Sequence, residues 1–171
     1  MFAAKIYIIA ATKLTATMSA RKAMNDIRDQ IKQANTAYVG IYNPTTQLFT
    51  NIPDGSPQIG NALYITNKGT TFATCFYMDQ VNSNLSSVQI TAAGAQMSTL
   101  SKIVVYITNY YVFNTEDSYT NTMTTYENDH VFHIKFQFAQ WEYPLAGVVG
   151  QNAMYDYYQL QTRVTRRLYD Y

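Results

Sequence analysis

Charged residues are what this sequence has least of: Asp, Glu, Lys and Arg make up 13% of its 171 residues, about half the usual share of a soluble domain. The formal net charge of +1 is too small to argue for nucleic acid as a partner on electrostatics alone. A single cysteine, Cys75, excludes an internal disulfide and with it the small secreted scaffolds that depend on such bridges. Glycine numbers only seven, and no Gly-rich phosphate loop, nucleophile elbow or C-x-x-C pair occurs, so nucleotide, serine-hydrolase and thiol-redox chemistry leave no signature. No apolar run approaches the roughly 18 residues of a membrane-spanning helix. Residues 1–11 are apolar, but Lys5 interrupts them and no small-residue cleavage pattern completes a signal peptide. The sequence therefore reads as that of a chain made and folded in a cytoplasm.

What the sequence has instead is tyrosine, 16 residues of it, alongside frequent Asn and Thr. These side chains offer broad hydrogen-bonding contact area without charge, a composition suited to packing against neighbouring molecules. The charge present is unevenly placed. Residues 1–35 hold six basic residues (Lys5, Lys13, Arg21, Lys22, Arg28, Lys32) against Asp26 and Asp29, a net of +4. Residues 36–150 hold three basic and seven acidic residues, a net of −4, and the last 21 residues return to +1. A basic leading segment on a mildly acidic body favours head-to-tail contact between copies as readily as contact with nucleic acid.

The chain is organised around residues 129–141, D-H-V-F-H-I-K-F-Q-F-A-Q-W. Phe132, Ile134, Phe136 and Phe138 share one parity, while Val131, His133, Lys135 and Gln137 share the other, the period of a strand with one buried and one wetter face. Burying those four side chains would contribute about 1.5–3 kcal/mol each. Upstream, residues 2–11 could form a short strand or an arm. Thr15, Thr17 or Ser19 could cap a helix running to about Asn35. Met24, Ile27, Ile31 and Ala34 recur on one face of it, and Ala20 and Ala23 extend that face.

Residues 37–42 then read as a strand, followed by a turn-rich stretch to Gly60 of the kind that often makes contacts. Residues 62–66 and 70–78 form a β-hairpin about Asn67-Lys68-Gly69. Further strands are expected at 87–91 and at 103–113, the latter bent or broken at Thr108-Asn109. Residues 114–128 read as a long polar loop, and residues 153–171 fit either helix or strand, with Tyr, Thr and Val favouring strand. The expectation is one α+β domain over 1–171: an amino-terminal amphipathic helix on a mainly antiparallel sheet or sandwich with long polar loops. An apolar arm over about 1–14 and a Tyr/Arg-rich segment over about 153–171 complete it.

Candidate sites are few. His130 and His133 stand three apart, so on a strand they point to opposite faces and cannot share a metal ion; they read as hydrogen-bonded structural residues. Cys75 could act as a nucleophile beside a histidine, but a lone cysteine in a strand reads as a small buried hydrophobe. Glu116, Asp117, Glu127 and Asp129 could supply paired carboxylates, yet their spacing fits no calcium loop and they read as a solvated acidic loop. No catalytic residue, metal site or cofactor is therefore expected. The strongest signal is the end of the chain, Y-D-Y-Y-Q-L-Q-T-R-V-T-R-R-L-Y-D-Y. Tyr155, Tyr157, Tyr158, Arg163, Arg166, Arg167, Tyr169 and Tyr171 are of the types that dominate protein interfaces. The same types grip single-stranded nucleic acid, but Asp156, Asp170 and the neutral overall balance argue against it.

In its size, its early helix over 17–35 followed by the strand 37–42, and its sheet ending in the 129–141 strand, the chain resembles small virion proteins of tailed bacteriophages: neck or ring proteins, tail terminators and tail-tube subunits. The resemblance implies a structural role without catalysis, as a homo-oligomeric ring at the head–tail connector or tail. Its contacts would be with copies of itself and with neighbouring virion proteins, and DNA would pass through its lumen without specific recognition. The neutral composition departs from the acidic lining usual in such a lumen. The alternative from another class is a β-rich carbohydrate- or peptide-binding module with Tyr110, Tyr111, Trp141 and Tyr143 as its platform, and a third is a small hydrolase using Cys75 and a histidine. Adjacent rings at 110 and 111 would lie on opposite faces of a strand, leaving one exposed.

Overall fold

A computed structural model describes residues 2–98, 101–125, 131–141 and 155–166. In chain order the elements are α1 (Phe2–Gln33), β1 (Thr36–Asn43), β2 (Leu48–Asn51), β3 (Ile59–Gly60), β4 (Ala62–Thr66), β5 (Ala73–Asp79), β6 (Asn84–Ile90), β7 (Ser101–Val105), β8 (Phe113–Glu116), β9 (Val131–Trp141) and β10 (Tyr155–Thr165). The chain is α+β: one helix against two antiparallel sheets, of order β2-β1-β4-β5-β6-β7 and β10-β9-β8-β3.

The helix buries Ala20, Ala23, Met24, Ile27 and Ile31, a stripe at helical spacing, while Arg21, Lys22, Asn25, Asp26 and Asp29 stay exposed on the other side. Its start corrects the sequence reading. No cap forms at Thr15, Thr17 or Ser19; the helix begins at Phe2 and passes through them unbroken, so residues 2–11 are not a strand. The physical reason is that no Gly or Pro occurs before residue 40 and that Ala3, Ala4, Ala10, Ala11 and Leu14 are strong helix formers. No described helix is long and apolar enough to cross a membrane.

The 62–66 and 70–78 hairpin is present as β4 and β5, with Leu63 opposite Phe76 and Gly69 at a φ of 83° in the connection. The sheets face each other across the main core. Val39, Leu63, Ile65, Phe76, Met78, Leu85 and Val104 of the first sheet meet Phe113, Phe132, Ile134, Phe136, Phe138 and Val164 of the second, and the helix stripe fills the open side. The sheets approach closely at two glycines: a side chain on Gly60 would collide with the Gly40 carbonyl. A smaller cluster, Tyr42, Phe49, Ala62, Ala73, Cys75, Tyr77, Val88 and Ile90, holds the outer face of the first sheet.

The 103–113 segment does not make one strand. β7 stops at Val105, Tyr106 takes a positive φ of 66°, and Ile107 bridges Phe138, so the chain crosses from one sheet to the other. Tyr110 and Tyr111 therefore lie outside any strand, and their rings touch with centroids 5.0 Å apart instead of lying on opposite faces. Tyr110 is half-buried, and buried Asn61 donates from Nδ2 to its hydroxyl (3.0 Å). The 114–128 segment is likewise shorter as a loop than its polarity suggests, since residues up to Glu116 belong to β8. Beyond them Asp117 closes a turn by accepting from the amides of Tyr119 and Asn121.

Candidate functional site

β9 is flanked by β8 and β10, and registers fix which side chains share its outer face. Asn114 pairs with His133, and His133, Lys135 and Gln137 pair with Arg163, Gln161 and Gln159. With the period-2 alternation of strands, this places a band of long polar side chains on the face away from the core. Within it Glu116 is 4% exposed. His133 donates from Nδ1 to Glu116 Oε1 (2.6 Å), and Arg163 donates from Nε to Oε2 (2.7 Å). Burial by itself would push the Glu116 carboxyl up; the hydrogen bonds and charges of Arg163 and His133 outweigh it and hold the group below the usual carboxylate range. An amide chain continues outward: Gln137 donates to Gln159 Oε1 (3.4 Å), Gln159 donates to Gln161 Oε1 (3.2 Å), and that same Gln161 oxygen lies 3.3 Å from His133 Nε2.

This corrects the reading of Glu116 as part of a solvated loop. Glu116 continues the alternation Phe113, Thr115 inward and Asn114 outward, a signal too short to be separated from the polar stretch after it. His133 is the hydrogen-bonded residue of the wetter face, tied to the carboxylate. Among the described residues, no group of three or more His, Cys, Asp and Glu side chains could hold a metal ion. Cys75 lies in the smaller apolar cluster, and burial pushes its thiol well up, disfavouring the thiolate that a nucleophile needs.

The interface candidates of the carboxyl-terminal segment have separate fates. Tyr155, Tyr157 and Tyr158 belong to β10, opposite Trp141, Ala139 and Phe138; the structure describes their backbone and not their rings. Arg163 is committed to Glu116, and Arg166 donates from a terminal guanidinium nitrogen to the Asn35 carbonyl, tying the end of β10 to the end of the helix. Arg167, Tyr169 and Tyr171 lie outside the described residues, as do His130, Glu127, Asp129 and Tyr143. Phe132, Ile134, Phe136 and Phe138 are at most 1% exposed.

The backbone of β10 supplies what side-chain reading could not. In an antiparallel ladder successive residues aim their N–H and C=O groups to opposite sides. Lys135 donates its N–H to the Val112 carbonyl, and Gln137 accepts from the Thr108 amide, both on the β8 side. Residues 134, 136 and 138 therefore serve β10, pairing with Thr162, Leu160 and Tyr158. It follows that Gln159, Gln161 and Arg163 aim their backbone groups away from β9. β10 is the end strand of its sheet, so among the described residues these outward groups have no strand partner. Beside it, between β10 and α1, runs a cleft of about 270 Å³ lined by Arg21, Met24, Asn25, Arg28, Leu160, Gln161 and Thr162.

Comparison of the chain with protein-family models, with curated proteins and with solved structures gives no match in any of the three.

Proposed function

We propose that this chain is a structural assembly protein, a homo-oligomeric subunit of a tailed-phage virion, in the head–tail connector, neck or tail, that joins its neighbours through the open edge of β10. The observation that carries the assembly part is that edge. A strand edge without a strand partner is a template for another strand. β10 has no proline, its pairing with β9 runs from Tyr155 to Thr165 without a register shift, and its outward backbone groups include those of the uncharged Gln159 and Gln161. The low charge and the many tyrosines suit a molecule packed among copies of itself and neighbouring virion proteins. The virion setting rests on the resemblance in size and element order.

The test is solution mass by light scattering across a concentration series. A discrete large oligomer, or growth of mass with concentration, is the expected result; a monomer throughout would remove the homo-oligomeric reading. A binding-module reading has one observation in its favour, the touching Tyr110 and Tyr111 rings with Tyr111 56% exposed. It predicts a monomer that titrates with a glycan.

A further inference from the structure

The cleft beside β10 carries more information than an open edge alone. Leu160, Gln161 and Thr162 are consecutive strand residues, whose side chains alternate between faces, yet all three line the same cleft. That is possible when the cleft runs along the strand's edge, where the Gln161 N–H and C=O point. The opposite wall is one helical stripe, Arg21, Met24, Asn25 and Arg28, at spacings i, i+3, i+4 and i+7. The cleft therefore offers backbone pairing on one side and two guanidiniums over apolar and amide surface on the other.

No carboxylate lines it. Arg21 makes no ion pair among the described residues, and Arg28 reaches only the exposed Asp29 through Nε at 3.4 Å. On β10 itself, Arg163 binds Glu116, and Arg166 binds the Asn35 carbonyl.

Resting on the reading of β10 as the assembly edge, we infer that the occupant of this cleft is an extended acidic segment of a second copy of the chain, added as a strand to β10 with a carboxylate held between Arg21 and Arg28. Charge complementarity within the one sequence selects a second copy: residues 1–35 carry +4 and residues 36–150 carry −4. A neighbour's acidic middle thus meets this chain's basic helix, a head-to-tail contact that repeats into a ring or a filament. Guanidiniums give carboxylates paired, directional donors, and strand pairing gives affinity without sequence demand.

Two arms on the full-length chain test this. In the first, the solution mass of the Arg21→Glu, Arg28→Glu double variant is compared with that of the native chain at low and high salt, with the milder Arg21→Gln, Arg28→Gln pair as a second variant and far-UV circular dichroism to verify folding. Arg21 is exposed and Arg28 half-exposed at the cleft, outside the buried stripe of the helix, so the fold is expected to survive. The native oligomer should weaken as salt rises, the Gln pair should dissociate about tenfold more readily, and the Glu pair should be monomeric. In the second arm, a labelled alternating Glu-Val peptide is titrated by fluorescence anisotropy into dilute monomer. Its alternating Lys-Val counterpart, a Glu-Val peptide with a central proline, and oligothymidylate serve as controls.

Binding of the Glu-Val peptide alone, reversed to the Lys-Val peptide by the double Glu variant, is the expected result. An oligomer unchanged by both double variants would overturn this inference while leaving assembly through β10 standing; a native chain that is monomeric throughout would overturn both. Equal binding of the proline or Lys-Val peptide, or tighter binding of oligothymidylate, would overturn the acidic-strand occupant.

Discussion

Glu116 is the residue at which the sheet's outer face stops being a generic polar surface. Its carboxylate is buried, accepts from His133 and Arg163 at 2.6 and 2.7 Å, and is held below the usual carboxylate range. A carboxyl whose folded value is depressed adds stability above its unfolded value of about 4.3 and loses it as pH falls through the folded value. Glu116→Gln should therefore destabilise the chain at neutral pH by about 1–3 kcal/mol, the cost of disturbing a buried charge-assisted pair. The gap between native and variant chains should close once the pH drops well below about 4. Urea unfolding at neutral and acid pH measures both, and a gap that stays constant with pH would show that the carboxylate's charge does not matter. Arg163, whose side chain is 46% exposed, contributes in part through screened attraction, so its own replacement should cost less than that of Glu116.

At the scale of elements, β9 and β10 carry the account. Alternating phenylalanines made β9 legible from sequence: period 2 over Phe132 to Phe138 admits one face, and burial in the core follows. The α1 stripe from Ala20 to Ile31 was equally readable, because apolar spacing survives whatever the helix packs against. Its start was not, since the apolar residues 2–11 fit more than one local structure and propensity decides only once the helix behind them is formed. A break in the 103–113 segment was legible but misplaced: it was expected at Thr108-Asn109 and falls at Tyr106, whose positive φ no side-chain pattern announces. Glu116 was hidden for a different reason, because its partners lie 17 and 47 residues away. The open side of β10 was hidden as well, since the direction of an N–H follows from register and not from residue type. That side gives a direct test. Gln159→Pro removes one outward N–H and leaves the ladder to β9 intact, a change tolerated at a strand edge. It should abolish self-association in light scattering with little loss of thermal stability. Unchanged association would move the interface elsewhere.

The whole molecule combines a well-buried core between two sheets with a sequence low in charge and rich in tyrosine, and its second sheet ends in the long strand β10. Each feature alone is ordinary; together they support the proposal that the partner of β10 is another strand. In the proposed assembly, the charge asymmetry along the chain, +4 over residues 1–35 and −4 over residues 36–150, would favour copies meeting head to tail over face to face. The most direct measurement is amide hydrogen exchange of Gln159, Gln161 and Arg163, read in dilute and in assembled protein. The account predicts fast exchange of all three when dilute and strong protection on assembly, while Leu160, Thr162 and Val164, bonded to β9, stay protected in both. Equal exchange of the three outward amides in both states, or protection of them in the dilute monomer, would contradict it.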